Sequence, residues 1–230
     1  MVTSSFLDQL LGFVYPTSCV SCKVRGKLLC GECAAKLRPL SSFTCLVCEK
    51  PALGGFTHSL CSGRFTPERT LSAFSYRGPA RPLVKALKYK SLKRVAEVMA
   101  HLTLEDLAEK GIFFGKKAWV VPIPLSFWRQ NERGFNQAEI FAQALARELK
   151  LKINPKLLKR VRNTPSQVSL SRGERSQNIQ GAFAGTRRIR KKDILLVDDV
   201  LTTGATVREA AKALKKKGAN QVWVLTFARD

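Results

Sequence analysis

The stretch ILLVDDVLTTGAT, Ile194 to Thr206, decides the fold. It opens with four apolar residues, Ile194 to Val197, sets two carboxylates side by side at Asp198 and Asp199, and carries no large apolar side chain after Leu201. The apolar run reads as a buried strand ending on two acids. In an open parallel sheet, ligands sit beyond the carboxyl ends of the strands. The turn that follows leads into a helix beginning near Gly204. Successive backbone N–H groups and the positive end of that helix form an anion cradle. Gly204 lets the backbone approach a phosphate, and Thr202, Thr203 and Thr206 add hydroxyl donors. A phosphate cradle beside two acids suits a sugar phosphate whose vicinal hydroxyls donate to the carboxylates. The plainer reading is that Asp198 and Asp199 only cap a strand and a helix. Val-Asp-Asp alone is common at strand ends, and the specificity lies in all thirteen residues.

Working outward, elements alternate. Thr70–Tyr76 has the period of a strand. Ala80 to Glu109 reads as helix, with Leu83, Val84, Leu87, Val95, Met99 and Leu102 on apolar stripes and a break near Ser91. Ala118–Pro124 is a short buried strand, Asn136–Lys150 a helix with one apolar face, and Ala205 to Lys217 a helix stopped by Gly218. Gln221–Ala228 is the next strand. Asn163–Phe183 is long and polar and reads as a mobile loop. The alternation predicts an α/β fold: a mostly parallel sheet with helices on both faces, spanning residues 66–230.

The 230 residues, 45% of them apolar, suffice for one such domain and a small satellite. No segment reaches the ~20 apolar residues that span a bilayer. The N-terminus lacks a basic leader and carries Asp8, so Ser5–Phe13 reads as a short amphipathic helix rather than a signal peptide. A cytoplasmic location follows, where thiols stay reduced.

All seven cysteines fall within residues 1–65, the expected satellite domain. Cys19-x2-Cys22-x7-Cys30-x2-Cys33 has the spacing of a four-thiolate structural Zn2+ site, with two disulfides as the alternative. Cys45-x2-Cys48-x9-His58-x2-Cys61 offers three thiols and an imidazole, which either hold a second Zn2+ or leave His58 merely exposed. A segment of ~65 residues is too small to depend on an apolar core alone.

Lys and Arg outnumber Asp and Glu 40 to 17, a formal charge of +23. Surfaces of that kind meet polyanions: nucleic acid, anionic lipid or phosphorylated ligands. Arg69–Arg94 holds eight basic residues and no acid, and Lys150–Lys192 holds thirteen and one acid, Glu174. Lys85, Lys88, Lys90 and Lys93, with Trp128 and Arg129 as a stacking group, are the candidate single-stranded DNA contacts. Arg129, Arg133, Asn136 and Gln137 follow one strand, and Arg172, Arg175 and Asn178 lie on the polar loop. These side chains either serve a pyrophosphate and second substrate or are simply solvated.

The stretch 194–206 resembles the 5-phosphoribosyl-1-pyrophosphate (PRPP) signature of type I phosphoribosyltransferases. The order of an N-terminal multi-CxxC segment, VPIPLSFWRQNERGFNQ and ILLVDDVLTTGAT resembles the ComF family, its ComFC-like members in particular. The resemblance implies a type I phosphoribosyltransferase fold behind a zinc finger. It implies a role in natural transformation and DNA uptake, alongside other competence or DNA-processing proteins. It also implies that Asp198 and Asp199 grip the ribose hydroxyls, that Thr202, Thr203, Gly204, Ala205 and Thr206 bind the 5-phosphate, and that Mg2+ accompanies PRPP. Arg133 and Arg175 are the further PRPP candidates. Relatives often carry another CxxC where this chain has Cys61-x2-Arg64, a departure that either leaves the second zinc site incomplete or hands the missing ligand to His58. Three functions stay open: phosphoribosyl transfer to an acceptor, a DNA-binding module that holds PRPP as a ligand, and a regulatory relative of the transferases.

Overall fold

The computed structural model describes residues 18–90, 93–162, 177–189 and 191–230. Its centre is a five-stranded, all-parallel sheet in the order β1-β7-β6-β2-β3. The strands are β1 (Arg69–Ser75), β2 (Trp119–Pro122), β3 (Lys152–Ile153), β6 (Ile194–Leu201) and β7 (Val222–Arg229). A separate antiparallel pair joins β4 (Leu158–Arg160) and β5 (Phe183–Gly185). The helices are α1 (Gly31–Ala35), α2 (Ala80–Lys90), α3 (Lys93–Glu109), α4 (Phe127–Arg133), α5 (Gln137–Glu148) and α6 (Ala205–Lys216). No described helix is long and apolar enough to cross a membrane.

Side chains alternate across each strand, so a continuous apolar strand needs cover on both faces. Leu195 and Val197 of β6, with Leu225 and Phe227 of β7, meet Leu83, Val84 and Leu87 of α2, Met99 of α3, and Phe141 and Leu145 of α5. Ile194, Leu196, Val222 and Val224 point the other way, to Val207, Ala210, Ala211 and Leu214 of α6 and to Leu157, Leu158 and Phe183. The apolar stripes expected from spacing on α2, α3, α5 and α6 are thus the faces that cover the sheet.

The strand of the opening stretch does not stop at its acids. Val200 pairs with Ala228 and Leu201 with Arg229, and the Leu201 carbonyl accepts from the Asp230 N–H at 3.0 Å. The long β7 supplies partners for two more residues. Within the polar segment after β2 lies α4, an element that spacing does not predict. Its seven residues give no apolar period, but Gly134, at φ 74°, ends it with an N–H donated to the Gln130 carbonyl at 2.8 Å. The expected helix Ser5–Phe13, the break near Ser91 and the polar loop through Ser176 lie outside the described residues.

The cysteine segment is built from two similar knuckles. The Cys19 N–H reaches the Val24 carbonyl at 2.8 Å, and the Cys45 N–H reaches the Lys50 carbonyl at 2.9 Å. The residue after each second cysteine, Lys23 or Glu49, has a left-handed φ of 70° or 62°. The segment lies against the sheet: the Leu40 N–H donates to the Ala73 carbonyl and the Ser75 N–H to the Arg38 carbonyl, each at 2.9 Å. Leu37 is buried with the first apolar cluster and Leu46 with the second.

Candidate functional site

Asp198 and Asp199 are neighbours on β6, and their carboxyls lie close enough to interact with each other and with Lys88. Asp199 faces α2, where Lys88 Nζ lies 3.1 Å from its Oδ2. Burial favours the neutral carboxyl, but the Lys88 charge outweighs it and holds Asp199 below the usual carboxylate range. Burial likewise disfavours the Lys88 charge, and Asp199 reverses the effect, raising the ammonium above its ordinary value. Asp198 is pushed well above the usual carboxylate range by burial and then by the adjacent Asp199 charge. Its Oδ1 accepts the Asp199 N–H at 2.9 Å. The two acids therefore differ: one is held ionised by a partner cation, and the other is left proton-hungry. Arg160, on β4, is half-buried. Burial and then the Arg129 charge lower its pKa, while the Asp198 charge opposes them.

Beyond the acids, Leu201 gives way to Thr202 and Thr203, and Gly204 caps α6 with φ 74°. The Ala205 N–H donates to Thr203 Oγ1 at 3.4 Å. Thr202 is exposed, Thr203 and Thr206 are half-buried, and Gly204 and Ala205 are buried. The left-handed φ requires glycine at 204, and so does close packing: a Cβ there would lie 2.5 Å from Leu46 Cδ1. The first turn of a helix has N–H groups without intrahelical partners, and here that turn follows the two acids of β6 and brings the hydroxyls of Thr202, Thr203 and Thr206 with it.

Lys88 requires a correction. Expected on a nucleic-acid surface, it is instead the counter-ion of Asp199. It lies four residues after Val84 on the buried side of α2, so packing carries its stem to the sheet. Lys85 and Lys93 are exposed. The side chain of Lys90 and all of Arg172 and Arg175 lie outside the described residues. Trp128 and Phe127 are 71% and 61% exposed, with rings edge-on at 6.3 Å, and Arg129 is half-buried beside them. Arg133 Nη1 donates to Gln137 Oε1 at 3.0 Å. Asn136 is occupied locally: its Nδ2 donates to the Ile123 carbonyl at 3.0 Å and its Oδ1 caps α5 through the Ala138 N–H.

The cysteines gather into two groups, Cys19, Cys22, Cys30, Cys33 and Cys45, Cys48, His58, Cys61. Within each group the ligand atoms all lie within 4.8 Å of one another. His58 turns Nδ1 to Cys48 Sγ at 3.3 Å, and its Nε2 lies 3.0 Å from the Pro51 carbonyl, an arrangement that fixes a ligating imidazole. Although burial opposes it, neighbouring backbone N–H groups lower Cys19 and Cys45 to about 6. At Cys33 a bond from Ser21 acts downward, but burial and three neighbouring thiols carry it up to about 12. Burial and the thiols of Cys48 and Cys45 raise Cys61 to about 11. Four clustered donors of this kind become anionic together only around a cation. The sets fit tetrahedral Zn2+, the first through four thiolates and the second through three thiolates and one imidazole. The metal's contribution there is to the fold rather than to chemistry.

Comparison with known proteins agrees with this arrangement. Residues 136–230 match the phosphoribosyl transferase domain, and residues 10–63 match the double zinc ribbon domain. The chain is 32% identical over 203 residues to DNA utilization protein YhgH of Salmonella typhimurium, covering 86% of this chain and 89% of that protein. It is 38% identical over 160 residues to Competence protein F of Haemophilus influenzae, covering 67% and 69%. The chain belongs to the ComF family. A more distant ComF relative, Competence protein ComFC of Bacillus subtilis, is 24% identical over 203 residues, covering 83% of this chain and 79% of that protein. The ComF chain thus combines a type I phosphoribosyltransferase domain with an N-terminal double zinc ribbon.

Proposed function

We propose that this ComF protein binds PRPP at the carboxyl end of β6 and single-stranded DNA on its basic surface, in the cytoplasm, as part of DNA uptake in natural transformation. One observation carries the PRPP reading: the Gly204-led N-terminus of α6 follows the unequal carboxylates of β6, Asp198 and Asp199, across the short Thr202–Thr203 turn. On this reading Thr202 to Thr206 receive the 5-phosphate, and the acids accept hydrogen bonds from the ribose hydroxyls. Arg129, Arg133 and Arg160 supply positive charge on the flank for the pyrophosphate, with Arg175 the candidate from the polar loop. Mg2+ would be carried by the pyrophosphate oxygens, since Asp199 already has a cation, and would neutralise charge on the leaving group.

The second reading is phosphoribosyl transfer to an acceptor without a DNA role. The complete acid pair favours it, since a groove used only for DNA gains nothing from two carboxylates. If transfer occurs, the protein's part is positioning and charge stabilisation as the bond to pyrophosphate breaks.

Calorimetry of PRPP with Mg2+, repeated with single-stranded DNA present, tests the proposal. Replacing Thr203 and Thr206 together by Val removes two hydroxyl donors worth about 1 kcal/mol each, so affinity should fall roughly tenfold or more. Wild-type affinity in that variant refutes the loop assignment.

DNA binding should ignore sequence, prefer single strands and weaken with salt, with log K falling by about 0.7 per phosphate contact per decade. Lys85→Ala with Lys93→Ala should reduce that slope, whereas Trp128→Ala should cost about 1–3 kcal/mol at unchanged slope if the ring stacks a base. Affinity that is flat across salt, or no binding at low ionic strength, leaves the transfer reading alone.

A further inference from the structure

The two cysteine groups do not occupy equivalent places. The first lies on the side of the ribbon whose Val20, Leu28 and Leu29 pack against the first apolar cluster. Leu29 and Ala34 also border α3 across a cavity that includes Val98 and Leu102. The second lies against the Thr-Gly loop. Between Cys45 and Cys48, Leu46 is 3% exposed and clusters with Leu201, Ala205 and Val207, residues on either side of that loop. Its side chain fills the space where any larger residue at 204 would project. Its carbonyl accepts from Arg208 Nη1 on the first turn of α6 at 3.0 Å. Two residues earlier, Thr44 Oγ1 is bonded to Arg229, the residue paired with Leu201 at the end of β6. Residues 44–46 therefore meet the loop at its turn and its exit, and hold the β7 residue that pairs with Leu201 at its entry.

We propose that the second metal centre is a working part of the phosphate loop: Leu46, held in its knuckle by Cys45 and Cys48, is a positioning residue that fixes the Thr202–Thr206 backbone for PRPP. This rests on the PRPP reading for the ligand, while the mechanical coupling does not depend on it. A knuckle without its metal loses the hairpin that presents Leu46. The loop then has no wall on its ribbon side, and its N–H groups are no longer fixed for a phosphate. The first centre anchors the ribbon to α3 and takes no part in this.

The test uses the full zinc-loaded chain and two readouts: calorimetry of PRPP with Mg2+, and hydrogen exchange of the amides of residues 202–207. Leu46→Ala should weaken PRPP about tenfold and speed exchange in the loop, and Leu46→Met, which refills the space, should restore both. Leu29→Ala trims a half-buried apolar contact on the other side of the ribbon and should change PRPP affinity less than about twofold. Cys48→Ser with Cys61→Ser should lower the zinc content by one ion per chain and reproduce the Leu46→Ala loop. If that pair fails to fold, the Leu46 and Leu29 variants decide the matter alone. Wild-type affinity and exchange in Leu46→Ala, or equal losses in Leu29→Ala, overturn the proposal. If the wild-type chain binds no PRPP, the ligand reading falls and the exchange comparison still decides the coupling.

Discussion

Replacing Asp199 by Asn should destabilise the protein by about 3 kcal/mol and abolish detectable PRPP binding, whereas replacing Asp198 by Asn should make the protein more stable. Removing one partner of a buried pair costs about 3–5 kcal/mol because the other charge is left uncompensated. The lower end applies because the Lys88 side chain is 24% exposed. The pH dependence follows from the opposite shifts. Asp199 is held below its unfolded value, so its contribution is present above the ordinary carboxylate pKa of about 4 and is lost as pH falls through the folded value. Asp198 is raised, so it costs stability above its folded value and costs nothing below about pH 4. Both variants should therefore differ from wild type near pH 7 and converge with it in acid. Urea unfolding at pH 7 and again near the acid limit reads this directly. Two changes of the same sign at pH 7 would show that the acids are equivalent.

The largest effect should come from the metal. Structural zinc contributes on the order of 10–16 kcal/mol of apparent free energy in zinc-finger peptides, because the site forms only with the fold. Purified protein should hold two zinc ions per chain. Stripping them with a strong chelator should expose all seven thiols to alkylation and remove the ribbon's contribution to both apolar clusters. Far-UV circular dichroism and thiol counting follow the loss, and readdition of Zn2+ under reducing conditions should reverse it. Protein that keeps its thiols protected after complete zinc removal would show that the cysteine groups are not metal centres.

Much of this was legible in the chain because its signals are local. The period of Leu83, Val84, Leu87 and of Val207, Ala210, Ala211, Leu214 marks helix faces, and the four apolar residues before Asp198 mark a strand covered on both sides. The CxxC spacings predict clustered thiols because a knuckle closes on itself within five or six residues. What escaped depends on partners far away in sequence. The extension of β6 past its acids is set by β7, and Arg160 comes under the Asp198 charge only through the placement of β4. Lys88 is the instructive miss. Its charge suggested a surface, but its spacing from Val84 already put it on the buried face, and a lysine there needs an acid to meet.

β1 is the outermost strand on its side of the sheet, and residues 38–40 of the ribbon segment pair with it through the Leu40 and Ser75 amides. A fragment beginning after the last cysteine would lose that cover and bare a run of unsatisfied amides and carbonyls on β1, and it would also empty the seats of Leu37 and Leu46. Such an edge is a template for other chains. The isolated transferase half should therefore self-associate or precipitate, and the cysteine segment acts as a built-in guard against aggregation as well as a metal carrier.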